Sequence, residues 1–273
     1  MANGLNYFTK SIGRSVEDHE LLVHANFDLH KTARGENLTF IIGGMHGDEK
    51  ATVVVLESFI ERHLAKGGIV SPTVVLTLAN PDGYERHTRY NARGVDLNRN
   101  CEFNWHIESE EPPGPAPWSE PESRALRDFI LEVQPAKIVS LHWALAEIDA
   151  DGPQSTALAH AMWDALDDAD KVPYRIRVYK QGEGKRRLDH EYEICPGSLG
   201  QWCGYGLHYS NGAQPAMITL ELPYDPTAQR PEVLPGDHLD SLYELWENNA
   251  AFYMAAIEGP VHKMLLAACD HAL

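Results

Sequence analysis

The sequence has few cysteines, a deficit of basic residues and no long hydrophobic run. Lys and Arg together number 23 against 40 Asp and Glu, which gives the 273-residue chain a net charge of −17. General surface binding to nucleic acid or to anionic lipid is therefore not expected, because both depend on positive charge. We also expect no membrane-spanning helix, since no stretch of about 18 uncharged apolar residues occurs.

The amino-terminal residues and the cysteines both favour a cytoplasmic protein. The segment MANGLNYFTKSIGRSVEDHE contains no basic stretch leading into an apolar core, so it does not resemble a secretory signal. Cys101, Cys195, Cys203 and Cys269 are scattered without a CxxC pair, which is typical of reduced thiols. Cys195 and Cys203 are near enough in the sequence to bridge, but a cytoplasmic setting favours two thiols. We expect a single domain over residues 1–273.

Strand-like runs alternate with amphipathic helical patterns, which is typical of a sheet covered by helices. We expect strands at 20–29, 37–44, 73–78, 137–142 and 216–222, and helices at 48–63, 120–133, 157–166 and 238–257. The segment 80–104 has little periodicity, and so long a loop inside a compact domain is usually functional. The proline-rich segment 112–121 is expected to be a surface loop. The pattern predicts an α/β fold.

The sharpest local pattern is HGDE at 46–49, where a buried strand ends and a helix begins. Imidazole and carboxylate groups are zinc ligands, and catalytic zinc commonly takes three protein ligands and a water molecule. The glycines beside His46 allow the sharp turn that would bring His46 and Glu49 to one point. Alone, an HxxE pair is weak evidence, because a capped histidine beside a solvated glutamate has the same spacing.

A second polar segment follows the strand predicted at 73–78. NPDG at 80–83 predicts a turn, and it leads into RYNARGVDLNRN at 89–100. Four arginines lie close together in this part of an acidic chain: Arg86, Arg89, Arg93 and Arg99. They could pair with the acidic surface, or they could form a cationic pocket for a substrate carboxylate or a developing oxyanion. The arginines alone leave both interpretations open.

Two further residues lie in predicted buried strands. His142 ends the strand SLH, where a satisfied structural histidine is the commoner case. Glu221 stands inside the apolar run ITLELP. A buried carboxylate is costly unless it is paired or protonated. Desolvation raises its pKa and a nearby cation lowers it, so such a group can serve as a general base.

These pieces, in this order, resemble the zinc carboxypeptidase family, the carboxypeptidase A clan of metallopeptidases. The resemblance runs from about residue 40 to residue 223 and rests on HGDE, NPDG, RYNARGVDLNRN, SLH and TLELP. The joint match is specific although each part is not. It implies a three-layer α/β/α fold with a mixed, mostly parallel sheet of about eight strands, and a site at the carboxyl ends of the strands.

The resemblance also implies roles for individual residues. One Zn²⁺ ion would be held by His46, Glu49 and His142, and Glu221 would be the general base. Arg89 would stabilise the tetrahedral oxyanion, a type of interaction whose loss costs about 10²–10³ in rate. The remaining matches are Asn98 and Arg99, which would bind the terminal carboxylate of the substrate, and Asp96, which would orient the first zinc histidine.

Some residues near these motifs keep alternatives open. Many family members cover the substrate with a mobile tyrosine, and Tyr192, Tyr205 and Tyr209 are candidates between which spacing does not choose. Trp143 follows the third ligand, and it either narrows the pocket or packs in the core, which is the commoner role. Most of the 14 histidines are expected at the surface. The histidines that match no motif include His24, His63, His238 and His262.

Within the family, the sequence resembles the small bacterial murein peptide amidase branch. SLHWALAEIDADGP at 140–153 and PGSLGQW at 196–202 carry this resemblance. It implies cleavage between γ-D-glutamate and meso-diaminopimelate in cytoplasmic cell-wall peptides, whose carboxylates would suit Arg99. Trp143 stands where a smaller residue is expected, which affects the predicted pocket shape.

Two alternatives have to be distinguished from a peptidase. The succinylglutamate desuccinylase and aspartoacylase branch also has an HxxE pair and a DLNR-like loop, but it cleaves small N-acyl amino acids. The complete RYNARGVDLNRN run and TLELP favour the peptidase. The other alternative is a catalytically silent zinc-binding or peptide-binding protein on the same scaffold, against which the presence of every expected ligand, base and arginine argues.

Overall fold

The computed structural model describes residues 7–29, 37–109, 111–178, 185–187, 190–192, 195–228 and 242–273. Its strands are β1 (Phe8–Arg14), β2 (Glu20–Ala25), β3 (Thr39–Ile42), β4 (Thr73–Leu76), β5 (Lys137–Asp151), β6 (Arg175–Val178), β7 (Lys185–Arg187), β8 (His190–Tyr192) and β9 (Ala216–Pro223). Its helices are α1 (Lys50–Phe59), α2 (Pro81–Arg86), α3 (Pro121–Val133), α4 (Thr156–Asp164), α5 (Asp168–Lys171), α6 (Leu199–Gln201) and α7 (Leu242–Asp270). Turns of π-helix, Ile60–Leu64 and Trp202–Gly206, continue α1 and α6, and a 3₁₀ turn covers Leu97–Arg99.

Seven of the described strands form one mixed sheet in the order β1-β2-β4-β3-β5-β6, with β9 also paired to β5. The β1–β2 and β2–β4 pairs are antiparallel, and β3 pairs in parallel with both β4 and β5. The central strands are apolar on both sides, as strands covered by helices on both faces should be. Strands β7 and β8 form a separate hairpin.

The long strand β5 changes direction beside β9. In the first arm of β5, from Lys137↔Ala216 to Ala144↔Pro223, the residue numbers of the paired β9 residues increase along β5. In the second arm, from Glu147↔Glu221 to Asp151↔Met217, they decrease. The chain therefore runs along β9 and returns along it, with Ala146 at a positive φ of 54° in the bend. Counting the two arms of β5 separately gives the large sheet eight extended segments, in agreement with the expected number.

Helices cover both faces of this sheet. On one face, side chains such as Ile41 and Val139 form a buried cluster with residues from α1, α4 and α7. On the other face, Phe40 and Ile138 pack in a second cluster with residues from α3 and with Trp202. The alternation of neighbouring residues between two cores is what a pleated strand produces. The expected three-layer α/β/α architecture is confirmed.

The structure differs from the predicted elements in three places. Strand β2 ends four residues earlier than expected, and β5 extends nine residues beyond the predicted end at 142. The NPDG segment begins the helix α2 instead of forming an isolated turn. Its cap is the Asn80 side chain, which accepts a hydrogen bond from the Gly83 amide at 3.0 Å. Asn at the N-cap followed by Pro is a helix-start signal, and it predominates here over the turn propensity.

One other expectation needs correction. The segment 112–121 is not simply a surface loop, since Glu120 is 1% exposed and Trp118 is 7% exposed. Among the histidines that match no motif, His262 is buried, and its Nδ1 lies 3.2 Å from Nε2 of His63. The predicted helix at 238–257 lies partly outside the described residues, as does His238, and the described helix α7 continues to Asp270. In the described ranges, no helix is both long and apolar enough to cross a membrane.

Candidate metal centre

A glycine-rich turn between β3 and α1 carries the first two candidate ligands. Gly44 has a φ of +60°, a conformation that glycine adopts without strain. Its amide donates to Oγ1 of Thr52 at 3.1 Å, which fastens the turn to the first turns of α1. His46 lies in this turn, and Glu49 is the residue immediately before α1. Both side chains are buried, at 2% and 3% exposure.

His142, on β5, completes a compact cluster with these two residues. The Nδ1 atom of His46 lies 2.7 Å from Oε1 of Glu49 and 3.3 Å from Nδ1 of His142. The Nδ1 atom of His142 is also 3.3 Å from Oε2 of Glu49. The structure thus brings together the three residues whose motifs are spread over almost a hundred positions.

The chemistry of this cluster fits a divalent metal ion. One ligand atom from each residue lies within 4.8 Å of the others, and no other group of three His, Cys, Asp or Glu donors occurs among the described residues. The buried Oε2 atom of Glu49 has no hydrogen-bond partner, which is expensive unless a cation satisfies it. Two imidazole nitrogens and a carboxylate are ligands that zinc prefers.

Asp96 and Arg89 surround the cluster on the side of the 89–100 segment. The fully buried Asp96 places Oδ1 3.1 Å from Nε2 of His46, which leaves Nδ1 of that ring for the cluster. Arg89 donates from Nε to Oδ2 of Asp96 at 3.0 Å, and its Nη2 is 2.8 Å from the same oxygen. Its Nη1 lies 3.3 Å from Nδ1 of His46 and 3.9 Å from Glu49.

The charges of these buried groups depend on one another. Burial and Arg89 both oppose protonation of His46, but Glu49 and Asp96 outweigh them and raise its pKa to about 9. Burial opposes ionisation of Glu49, yet His46 and His142 hold its pKa below the ordinary value. Burial also opposes ionisation of Asp96, but Arg89 and His46 keep its pKa well below the usual range. Metal binding to such a cluster must displace a proton.

Glu221 lies beside the cluster because of strand register. In the parallel β5–β9 pair, Glu221 is opposite His142. Opposite residues in neighbouring strands point to the same face of a sheet, so the Glu221 carboxylate lies on the face that carries the histidine. It is only partly buried, and its Oε2 accepts a hydrogen bond from the Leu145 amide at 3.4 Å.

Asn98 and Arg99 form the 3₁₀ turn that follows Asp96. The main-chain amide of Asn98 donates to Oδ1 of Asp96 at 2.8 Å. The side-chain Oδ1 of Asn98 accepts a hydrogen bond from the Leu199 main-chain amide at 2.9 Å. Arg99 donates from Nη1 to the carbonyl oxygen of Asn98 at 2.7 Å. A Cβ atom on Gly197 would lie 2.3 Å from the Arg99 carbonyl oxygen, so the 195–199 segment packs directly on this turn. Both side chains are partly exposed, and a ligand can reach them.

Sequence reasoning missed Glu147, which lies next to Glu221. It is opposite Glu221 in the returning arm of β5, it is 1% exposed, and it forms ion pairs with Arg175 and Arg177. A signal was present in the sequence, because Glu147, Asp149 and Asp151 alternate with apolar residues as on one face of a strand.

The structure narrows the choice among the candidate tyrosines. Tyr209 is buried, and its hydroxyl donates to the Pro135 carbonyl oxygen at 2.8 Å, so it does not serve as a mobile cover. Tyr205 is partly exposed and stacks on Phe103 with 6.5 Å between ring centroids. The side chain of Tyr192 lies outside the described residues.

Trp143 behaves as the commoner interpretation predicts. It packs in the core: it is 3% exposed, contacts Tyr253 at 4.9 Å between centroids, and donates from Nε1 to the Pro223 carbonyl oxygen at 2.9 Å. Cys203 carries a free thiol, as do Cys101 and Cys269, in agreement with the expectation that Cys203 does not bridge to Cys195.

Comparison with known proteins relates this geometry to one family. The model of the zinc carboxypeptidase family matches residues 6–145, just over half of the chain. Murein peptide amidase A of Escherichia coli K12 is 34% identical over 182 residues, which cover 60% of this chain. The match spans only 64% of the length of that relative.

Two other matches extend over more of the chain. Murein peptide amidase A of Vibrio campbellii is 28% identical over 228 residues, covering 78% of each protein. Among solved structures, murein-tripeptide amidase MpaA of Escherichia coli O157 is similar with a TM-score of 0.55 at 27% identity, covering 92% of this chain and 91% of that one. The similarity of fold therefore extends over nearly the whole chain.

Proposed function

The chain belongs to the zinc carboxypeptidase family, and from this premise we propose that it is a zinc-dependent peptidase that cleaves an amide bond beside a free carboxylate. The observation that carries the proposal is the convergence of His46, Glu49 and His142 next to Glu221. A single Zn²⁺ ion would be held by the two imidazoles and the Glu49 carboxylate. When bound, such an ion polarises the scissile carbonyl and lowers the pKa of a water molecule.

The position of Glu221 supports the role of general base that we propose for it. Its carboxylate shares a sheet face with His142 and is open enough to meet solvent. In the proposed reaction it takes a proton from the attacking water while the oxygen of that water bonds to the substrate carbonyl carbon. It then gives the proton to the departing amine, so that the C–N bond breaks and the carboxylate is regenerated.

Arg89 and Asp96 would prepare the surroundings of the reacting carbonyl. The Arg89 guanidinium is fixed by Asp96 and lies 3.3 Å from His46, so its charge is directed at the centre before substrate binds. A fixed cation at this place stabilises the oxyanion that develops on the substrate. Asp96 also orients the His46 ring through Nε2.

We further propose that the substrate is a murein peptide cut between γ-D-glutamate and meso-diaminopimelate. The names of the relatives support this substrate class. Asn98 and Arg99 would bind the carboxylate beside the cleaved bond, because the guanidinium fork suits a carboxylate and both side chains are accessible. The thiols of Cys101, Cys203 and Cys269 fit a reducing compartment, so we place the reaction in the cytoplasm.

The substrate proposal is tested by offering three compounds to the zinc-loaded protein. These are L-Ala-γ-D-Glu-meso-diaminopimelate, ordinary peptides with a free carboxyl terminus, and N-succinylglutamate. We expect hydrolysis of the first compound at the γ-D-Glu bond. Exclusive hydrolysis of ordinary peptides would contradict the murein substrate, and hydrolysis of N-succinylglutamate alone would favour a deacylase.

A variant of the base separates an enzyme from a silent binding protein. Glu221→Gln keeps the size of the side chain but cannot accept the proton, so we expect kcat to fall by about 10²-fold or more with full zinc content. Glu61→Gln, on the exposed surface, is the matched control and should retain activity. Activity that persists in Glu221→Gln would remove Glu221 from the mechanism.

A further inference from the structure

The NPDG segment lies against the turn that carries the metal cluster. The amide of Ala79 donates to the Gly43 carbonyl oxygen at 3.0 Å, and the amide of Asn80 donates to the Gly44 carbonyl oxygen at 2.9 Å. Asn80 is completely buried. Its main chain is therefore bonded directly to the turn between β3 and α1.

Helix α2 is pressed against the same turn. A Cβ atom on Gly47 would lie 2.0 Å from the carbonyl carbon of Gly83, so only glycine fits beside His46. Lys50, the first residue of α1, donates from Nζ to the Tyr84 carbonyl oxygen. The start of α2 and the start of α1 thus form one packed unit.

The side chain of Asn80 connects this unit to the arginine segment. Its Oδ1 accepts from the Gly83 amide at 3.0 Å, and its Nδ2 donates to the Arg89 carbonyl oxygen at 3.2 Å. The two segments are in close contact here, because a Cβ on Gly83 would lie 2.4 Å from the Tyr90 carbonyl oxygen. The side-chain amide thus accepts through its oxygen and donates through its nitrogen. An ionised carboxylate has no donor, and a hydroxyl group has only one polar atom, so neither can replace both contacts.

Arg89 is the residue whose backbone Asn80 holds, and its side chain reaches the cluster. We propose that Asn80 is a positioning residue, whose side-chain amide fixes the Arg89 guanidinium relative to His46 and Glu49. This inference rests on the oxyanion role given to Arg89 in the proposed function. Asn80 contacts neither substrate nor metal in this account, and it acts through Arg89.

Asn80→Asp tests this role because it retains one contact and removes the other. A carboxylate oxygen still caps α2, but the donor to the Arg89 carbonyl is lost and two oxygens then face each other. We expect kcat to fall on the order of tenfold, less than the 10²–10³ for loss of an oxyanion donor itself. The KM and the zinc content should be unchanged. Asn80→Ser also caps the helix without that donor and should show the same kinetic pattern.

Asn26→Asp is the matched control, because the partly buried side-chain amide of Asn26 holds backbone groups at another place in the fold. Asn26 donates from Nδ2 to the carbonyl oxygens of Ile69 and Ser71, and its Oδ1 accepts from the Thr73 amide. This variant should lose thermal stability but keep kcat. Equal losses of kcat in the Asn26 and Asn80 variants would reduce Asn80 to a structural role and overturn the proposal.

A readout without substrate distinguishes this inference from the proposed function. In ¹⁵N-arginine NMR spectra, the Arg89 Nε–H signal, assigned with Arg89→Lys, should be protected from exchange by its bond to Asp96. In Asn80→Asp we expect this signal to move and to exchange faster, and in Asn26→Asp to stay unchanged. An unchanged Arg89 signal in Asn80→Asp overturns the positioning role, whereas an inactive wild-type protein with the expected NMR change overturns only the proposed function.

Discussion

At the residue scale, the centre consists of groups that are tolerable in the interior only together. His46, Glu49 and Asp96 are buried side chains with ionisable groups. His46 stabilises the charges of both carboxylates, Arg89 adds to the stabilisation of Asp96, and the two carboxylates in turn raise the pKa of His46. Removing one member leaves its partners buried without compensation, which is costly. The cluster is therefore expected to respond to single substitutions much more strongly than an exposed ion pair would.

Removal of one ligand should abolish stable metal binding. Since the proposed site has three protein ligands, Glu49→Ala or His46→Ala leaves no redundancy. We expect zinc content after dialysis to fall from about one ion per chain to near zero. Metal analysis of the dialysed proteins and chelator competition measure this, and full occupancy in either variant would contradict the ligand assignment.

Arg99 should contribute to substrate binding more than to the chemical step. In Arg99→Ala the carboxylate of the substrate loses a charged partner, so KM for a substrate with a free carboxylate should rise by about tenfold or more. For the corresponding amide, KM should change little. Michaelis constants for the two substrates check this, and equal changes for both would argue against a carboxylate-binding role.

The sequence motifs indicated which residues converge, but not all that surrounds them. HGDE, SLH and TLELP each lie at a strand end or in a buried strand, and parallel strands bring such places together. The position of Glu147 could not be predicted, because Glu147 lies opposite Glu221 only as a result of the reversal of β5 at Ala146. The two hydrogen bonds of the Asn80 side chain, to Gly83 and to Arg89, could not be predicted either, because Arg89 follows the helix α2, which was not expected.

At the element scale, α2 is fixed to the rest of the molecule by the β1–β2 turn. The buried Asp82 accepts hydrogen bonds from Ser15 Oγ at 2.5 Å and from the Glu17 amide at 3.1 Å. His19 contributes a third contact, with Nδ1 2.9 Å from Asp82. A hairpin far from the metal cluster in sequence thus supports the helix that begins the arginine segment.

This contact should make stability depend on pH through His19. Its hydrogen bond to Asp82, together with nearby Glu85 and Glu17, raises its pKa above the ordinary value. A group whose pKa is higher in the folded state stabilises the fold fully below its unfolded pKa, and this stabilisation is lost as pH rises through the folded pKa. The difference in unfolding free energy between wild type and His19→Gln should therefore be largest below the ordinary histidine pKa of about 6.5, and it should shrink as the pH rises through the higher pKa of folded His19.

Denaturant unfolding at several pH values measures this difference. His160→Gln, at an exposed position of α4, provides the control for the loss of a histidine. A difference between wild type and His19→Gln that stays constant or grows as pH rises would contradict the assignment to the His19–Asp82 contact.

Helix and strand types were predictable from hydrophobic periodicity, but two features of the elements were not. The 15-residue strand β5 pairs with β9 along both of its arms, and no local pattern shows where a strand turns back. The start of α2 was ambiguous because Asn, Pro, Asp and Gly favour turns as well as helix starts. Here the Asn80 cap and the Asp82 contacts decide in favour of a helix.

At the scale of the whole molecule, the contacts that hold the end of α7 lie at the opposite edge of the sheet from the metal cluster. The metal cluster lies beyond the carboxyl end of β3, whereas the end of α7 is fixed at the amino end of β5. There the fully buried Lys137 donates from Nζ to the carbonyl oxygens of Cys269 at 3.0 Å and His271 at 2.5 Å. A cation at a helix carboxyl terminus satisfies free carbonyls and opposes the negative end of the helix dipole.

Lys137→Met should therefore weaken the fold without changing the reaction. The buried carbonyl group of Cys269 and the partly buried one of His271 lose their donor, so we expect the unfolding free energy to fall by about 2 kcal/mol, within the range of 1–3 for such groups. Denaturant unfolding should show this loss, and kcat of the folded variant should equal that of the wild type. Lys66→Met, at an exposed position, should change neither quantity. Unchanged stability in Lys137→Met would show that α7 is held by apolar packing alone, and a reduced kcat would show that anchoring and chemistry are not separate.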